Sequence, residues 1–192
     1  MRVIAGQFRS RQLKSLKGQA LRPTSDRLRE TLFNVISSRI PDSRFIDAFA
    51  GTGAIGIEAI SRGAAHVIFI ENHPAAVALI QKNLESLEVR TGTKVLALDA
   101  LRGLERLASL HKQDSPPFDI VFLDPPYAAS EDYRRVLSFL GEVSFLSEGS
   151  LVIAEHRRNF DLPEHFGNFH RVRILRQGDA SLSFYRFTRT PE

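Results

Sequence analysis

The feature that most constrains this chain is a strand-like run closed by a glycine loop, Phe45-Ile46-Asp47-Ala48-Phe49-Ala50-Gly51-Thr52-Gly53-Ala54-Ile55-Gly56. Residues 45–49 read as a buried strand. The glycines of the loop, spaced G-x-G-x-x-G, allow a tight turn and a helix packed close behind it. That helix stops at Gly63. A strand followed at once by a helix belongs in a mostly parallel sheet covered on both faces.

The following sequence supplies the other units. Residues 67–70 read as a second strand. Pro74 begins a helix reaching about residue 87, with Ala76, Leu79, Ile80, Asn83 and Leu84 on one side. A third strand spans 94–98, with a helix near 101–110. The turn Asp114-Ser115-Pro116-Pro117 leads into a fourth strand at 118–123, a helix at 131–140 and a fifth strand at 150–155. Residues 169–175 and 181–187, joined through Gln177-Gly178-Asp179, read as an antiparallel pair. Ahead of this core, residues 3–5 and 12–16 read as two short strands around Gly6-Gln7-Phe8-Arg9-Ser10. A helix over 25–38 follows, with Leu28, Leu32, Val35 and Ile36 as its apolar stripe. With no repeat and no linker, 1–192 reads as one domain: an N-terminal extension at 1–40 and a core at 41–192.

Cysteine is absent, which excludes disulfides, thiolate zinc sites and cysteine nucleophiles and allows a reducing cytoplasm. The N-terminus has no long apolar run, so neither a signal peptide nor a membrane span is expected. The formal net charge of +4 is unevenly placed. Residues 1–30 hold eight basic side chains (Arg2, Arg9, Arg11, Lys14, Lys17, Arg22, Arg27 and Arg29) against Asp26 and Glu30. Residues 31–150 carry more acid than base. A basic N-terminal segment suits a polyanion grip, and equally suits a solvated face.

Glu71 ends the second strand 20 residues after Gly51, where a carboxylate can take ribose hydroxyls. A nicotinamide dinucleotide is the first expectation. Asp47 argues against it, since a carboxylate four residues before Gly51 is unwelcome beside a pyrophosphate. S-adenosylmethionine has no phosphate; its ammonium and sulfonium suit a nearby anion. Asp99, ending the third strand, offers an acceptor for an adenine amino group, or serves as a helix N-cap.

Asp124-Pro125-Pro126-Tyr127 follows the apolar run 119–123. Proline fixes φ and disfavours helix at the residue before it, so Asp124 and Pro125 are held extended. A carboxylate and free carbonyls beside an aromatic ring can grip a flat heterocycle bearing an amino group. The same four residues would also serve as a plain turn with Tyr127 on the surface.

On these residues the chain resembles the class I S-adenosylmethionine-dependent methyltransferases, and more narrowly the RsmD-type family of 16S rRNA guanine-N2 methyltransferases. The resemblance covers nearly the whole length. It rests on Arg2-Val3-Ile4-Ala5-Gly6, on Arg22-Pro23-Thr24-x-x-Arg27-x-Arg29-Glu30 leading to Phe33-Asn34, on the 47–56 loop, on 124–127, and on Gly178-x-x-x-Leu182-Ser183-Phe184-Tyr185. It implies a Rossmann-like fold with a mostly parallel seven-stranded sheet, helices on both faces and a C-terminal antiparallel hairpin. It implies a cytoplasmic monomer acting on 16S rRNA within a partly or fully assembled small subunit. The cofactor would be S-adenosylmethionine, leaving S-adenosylhomocysteine, with no metal needed. Cofactor contacts are implied at Asp47, Phe49, Gly51, Thr52, Gly53, Glu71, Asn72, Asp99, Ala100 and Asp124.

In this reading the Asp124 carboxylate and the Pro125 carbonyl accept the two N–H bonds of guanine N2, Pro126 stiffens the corner and Tyr127 stacks on the base. The target must be unpaired or flipped out. Arg9, Arg11, Arg22, Arg27 and Arg29 are expected on phosphates. Thr24 is expected either on RNA or as the cap of the following helix. His156 reads as an ordinary solvated histidine, and Phe166, Phe169, Phe184 and Tyr185 as core. The rivals are a DNA adenine-N6 methyltransferase, a non-catalytic RNA-binding assembly factor, and an NAD-dependent oxidoreductase in which 124–127 would have no task.

Overall fold

A computed structural model describes residues 1–15, 25–126 and 130–188. Eight strands form one sheet in the order β3-β2-β1-β4-β5-β8-β7-β6. Its parallel part comprises β1 (Arg44–Asp47), β2 (His66–Ile70), β3 (Thr93–Leu96), β4 (Ile120–Leu123) and β5 (Leu151–Arg157). Each crossover is a helix: α2 (Ala54–Ser61), α3 (Pro74–Ser86), α4 (Ala100–Leu110) and α5 (Ser130–Leu140). The continuous burial of β4 and of most of β5 is what strands covered on both faces require.

Strand order reverses between β1 and β4. Ligands of open α/β sheets bind at such a switch, outside the carboxyl ends of the strands. Asp47 and Asp124 stand at those two ends.

The antiparallel part consists of β8 (Ala180–Phe187), beside β5, then β7 (Phe169–Gln177) and the two-residue β6 (His165–Phe166). The sequence predicts seven strands, and β6 is the eighth. Gly167 (φ 50°) and Asn168 turn the chain so tightly that Phe166 pairs with Phe169 and the two rings stack. Two hydrophobic clusters fill the faces. One gathers Leu32, Phe33, Phe45, Ile57, Phe122 and Phe184; the other Ile46, Val121, Tyr133, Leu137, Phe169 and Tyr185.

The N-terminal residues depart from two strands. Among the described residues there, only Arg2 and Gln12 form an antiparallel bridge, and residue 16 of the expected second strand lies outside them. The Ile4 and Ala5 amides turn instead to the buried Glu58 carboxylate, at 2.8 and 3.0 Å, and a strand ladder is not extended. Helix α1 (Asp26–Val35) is capped by Ser25, whose hydroxyl accepts the Leu28 N–H at 3.2 Å. The expected helix thus ends early, at Ile36, and continues as a single 3-10 turn, Ser37–Arg39.

Candidate active site at the carboxyl ends of the strands

The glycine loop is shaped by its own backbone. Gly51 (φ 52°) and Gly53 (φ 79°) are left-handed, which glycine adopts without strain. A β-carbon on Gly51 would meet no atom within 4 Å, so the backbone there faces open space that a ligand can approach. Gly56 has a different task. A β-carbon on it would stand 2.2 Å from Cε1 of Phe69, so α2 sits close on β2 only because Gly56 has no side chain.

Two carboxylates hold this loop. Asp47, 1% exposed, accepts the Gly56 N–H through Oδ2 at 2.9 Å. Burial, with a smaller push from Glu71, raises its pKa to about 7, against the lowering effect of the Gly56 hydrogen bond. Asp47 therefore braces the loop from beneath. Half-buried Glu71 accepts the Gly51 N–H at 2.7 Å and the His73 N–H at 2.8 Å. Each carboxylate oxygen can accept a further hydrogen bond.

Thr52 and Phe49 are half-buried beside the loop, and Asn72 is exposed after β2. Asp99 caps α4 by accepting the Arg102 N–H through Oδ1 at 3.0 Å, and Ala100 begins that helix, buried. The acid at the third strand end is thus a cap whose other oxygen lies 3.5 Å from Arg102 Nε, its side chain 44% accessible.

Leu123 is level with Ala154, so Asp124 leaves β4 beside Glu155. Asp124 is half-buried, Pro125 buried and Pro126 exposed. Glu155 is buried, and its carbonyl accepts the Tyr133 hydroxyl, which ties α5 to this corner. Tyr127, Arg22 and Thr24 lie outside the described residues.

Arg29 corrects the expected phosphate clamp. It is 0% exposed, with Nη2 on the Arg2 carbonyl at 2.6 Å and on Asp26 at 3.0 Å, and Nε 3.8 Å from Glu58. Burial lowers its pKa, and the two carboxylates oppose that shift. A guanidinium so enclosed ties α1 to the N-terminal segment and presents nothing to a polyanion. Arg9, Arg11 and Arg27 are exposed, although Arg11 Nη2 also reaches the Ser86 carbonyl at 2.8 Å.

His156 is likewise not a solvated side chain. It is 1% exposed, between the Arg157 carbonyl and the Ser183 hydroxyl, each 2.9 Å away. Burial lowers its pKa, so the ring is neutral at pH 7. The expectation of core positions for Phe166, Phe169, Phe184 and Tyr185 holds.

Sequence reasoning missed Glu58 and assigned Asn83 only to a helix face. Glu58 accepts from Ile4, Ala5 and Arg62, and Asn83 joins Lys14 to Thr52. For Glu58 a signal existed: it is the one charged residue of Ala54–Ser61.

Residues 1–186 match the family described as Conserved hypothetical protein 95. The chain is 35% identical over 179 residues to Ribosomal RNA small subunit methyltransferase D of Escherichia coli, covering 92% of this chain and 86% of that protein. It is 36% identical over 169 residues to the Haemophilus influenzae protein of the same name, covering 86% and 84%. A solved structure of the Escherichia coli protein yhhF superposes with a TM-score of 0.82 at 34% identity, covering 97% of each chain.

Proposed function

We infer that this chain, which belongs to the family described as Conserved hypothetical protein 95, the RsmD family, is an rRNA methyltransferase. Its fold is the Rossmann-like class I methyltransferase fold. The reaction proposed is transfer of a methyl group to the exocyclic N2 of a guanine in 16S rRNA, by a cytoplasmic monomer acting on the small subunit or its assembly intermediate. S-adenosylmethionine is the proposed donor, and when bound it supplies an electrophilic methyl on a sulfonium.

The residues present suit that donor. Open space over Gly51 admits an adenosyl group, Glu71 and Asp99 offer acceptors at successive strand ends, and Asp47 holds the loop from below. Phe49, Thr52, Gly53, Asn72 and Ala100 would line the remainder.

The observation that carries the reading is the emergence of Asp124 and Pro125 from buried β4 at the switch point, next to the glycine loop. Guanine N2 is a weak nucleophile because its lone pair is delocalised into the ring. The Asp124 carboxylate and the Pro125 carbonyl, accepting its two N–H bonds, would localise that pair and aim it. This is positioning and electrostatics. Asp124 or solvent takes the proton released, and Tyr127 would stack on the base, a contact worth ~1–3 kcal/mol.

The test is incubation with labelled S-adenosylmethionine and free 16S rRNA, assembled small subunits or duplex DNA, followed by nucleoside analysis. N2-methylguanine in rRNA is expected. Label in N6-methyladenine would replace guanine by adenine as the target, and no label in any substrate would favour an assembly factor.

A further inference from the structure

We propose that phosphates flanking the target nucleotide are held by Arg158, Arg173 and Arg176, in the antiparallel part of the sheet. The proposal rests on the reading of 16S rRNA as substrate.

Helices α2 and α3 each start at the carboxyl ends of the strands and run back toward the amino ends. The N-terminal loop docks on their far ends: Gln7 N–H on the Ser61 carbonyl at 2.8 Å, and Arg11 on that of Ser86. Arg11 is thereby occupied one turn of α3 beyond Asn83, whose side-chain amide reaches the Thr52 carbonyl at 3.4 Å. A nucleotide's own phosphate is only a sugar away from its base. With the base at Asp124, its phosphates lie around the carboxyl ends of the strands.

Strand β7, paired with β8, carries arginines toward that side. Because β8 runs antiparallel to β5, Ala180 is level with both Arg157 and Gln177, and β7 finishes at the end of the sheet where β4 and β5 finish. Arg176 is level with Ser181, hence with His156, one residue beyond the level of Asp124. The Arg158 N–H is fixed to the Asp179 carbonyl at 2.8 Å, against the β7–β8 turn. Arg158, Arg173 and Arg176 are all exposed.

Arg173 and Arg176, three residues apart, project to opposite faces, as the strand period demands, and Arg173 is level with Phe184 and so with Phe122, two residues short of Asp124. The two arginines straddle a sheet edge, since β6 covers only Phe169 and His170 of β7. Of the acids nearby, Asp161 and Glu164 turn to Arg171 at 3.6 and 3.4 Å, and exposed Asp179 lies in the β7–β8 turn itself. Edge arginines also discourage strand addition between copies. That alone would not place Arg158, off the edge, at the end of the sheet where Arg176 stands.

The experiment compares 16S rRNA binding and methyl transfer by the parent and by Arg158→Ala/Arg173→Ala/Arg176→Ala. Arg90→Ala/Arg106→Ala/Lys112→Ala, exposed positions elsewhere on the molecule, serves as the charge-matched control. The first variant should flatten the slope of log affinity against log salt by about 2 to 3, as for three lost phosphate contacts. It should raise KM for rRNA at least about tenfold with kcat within about twofold, since binding away from the reacting atoms is lost. Affinity for S-adenosylmethionine should stay unchanged, showing an intact fold. An unaltered slope and KM, or an equal change in the control, would overturn the proposal. If the parent itself leaves rRNA unlabelled and unbound, the functional reading fails and this proposal with it; labelled rRNA with an unaltered triple variant sinks this proposal alone.

Discussion

The Asp47 carboxylate holds the Gly56 amide at 2.9 Å across the full span of the glycine turn, out of contact with solvent. Its folded pKa of about 7 lies above the ordinary 3.8. Below pH 4 the group is protonated in both folded and unfolded states. Between about 4 and 7 the unfolded chain has lost the proton while the folded one keeps it, so stability falls as pH rises, and levels off above 7. The span corresponds to something on the order of 4 kcal/mol. Asp47→Asn keeps an acceptor for Gly56 without the charge. Urea unfolding from pH 4 to 8 should show the variant gaining on the parent through that window; parallel profiles would contradict the account.

Asp124→Ala should abolish methyl transfer while leaving affinity for S-adenosylmethionine within a few-fold, because the acceptor lies beyond the glycine loop. Isothermal titration alongside the labelling assay separates the two. Equal loss of both would make Asp124 a cofactor residue.

Glu58→Ala should destabilise the protein by about 3–5 kcal/mol, since it leaves the buried Arg29 charge without one of its two carboxylates. It also strands the Ile4 and Ala5 amides. Chemical denaturation measures the first effect. Hydrogen exchange at Ile4 and Ala5 measures the second, and protection equal to the parent's would argue against the anchoring role.

Gly56→Ala should cost at least about 1–3 kcal/mol by overpacking. Phe69→Leu in the same chain should recover part of the loss by removing the ring that the new methyl meets. If thermal unfolding shows no loss in the single variant, or no recovery in the double, helix–strand packing is not what Gly56 secures.

The parallel half of the fold was legible because each strand is a short apolar run bounded by turns, and each helix repeats its apolar positions at helical spacing. The glycine loop and Asp47, Glu71 and Asp99 likewise announce themselves by position. Burial of a charge does not. Arg29 sits in a basic stretch like any solvated arginine, and its partner Glu58 is 29 residues away. His156 reads as a surface residue until Ser183, on a strand placed beside it by the C-terminal hairpin, closes over its ring. Strand β6 escaped because two residues show no alternation. That Arg11 is occupied by the Ser86 carbonyl depends on which helix end the N-terminal loop meets, and linear charge counting has no view of that.

The close seat of α2 on β2 explains why a signature shared with dinucleotide enzymes recurs in a chain assigned a different ligand. The third glycine of the spacing answers to a phenyl ring inside the protein and is indifferent to whatever occupies the cleft. Selection for that joint would preserve the motif through a change of cofactor, and the motif alone therefore testifies to carpentry rather than to chemistry.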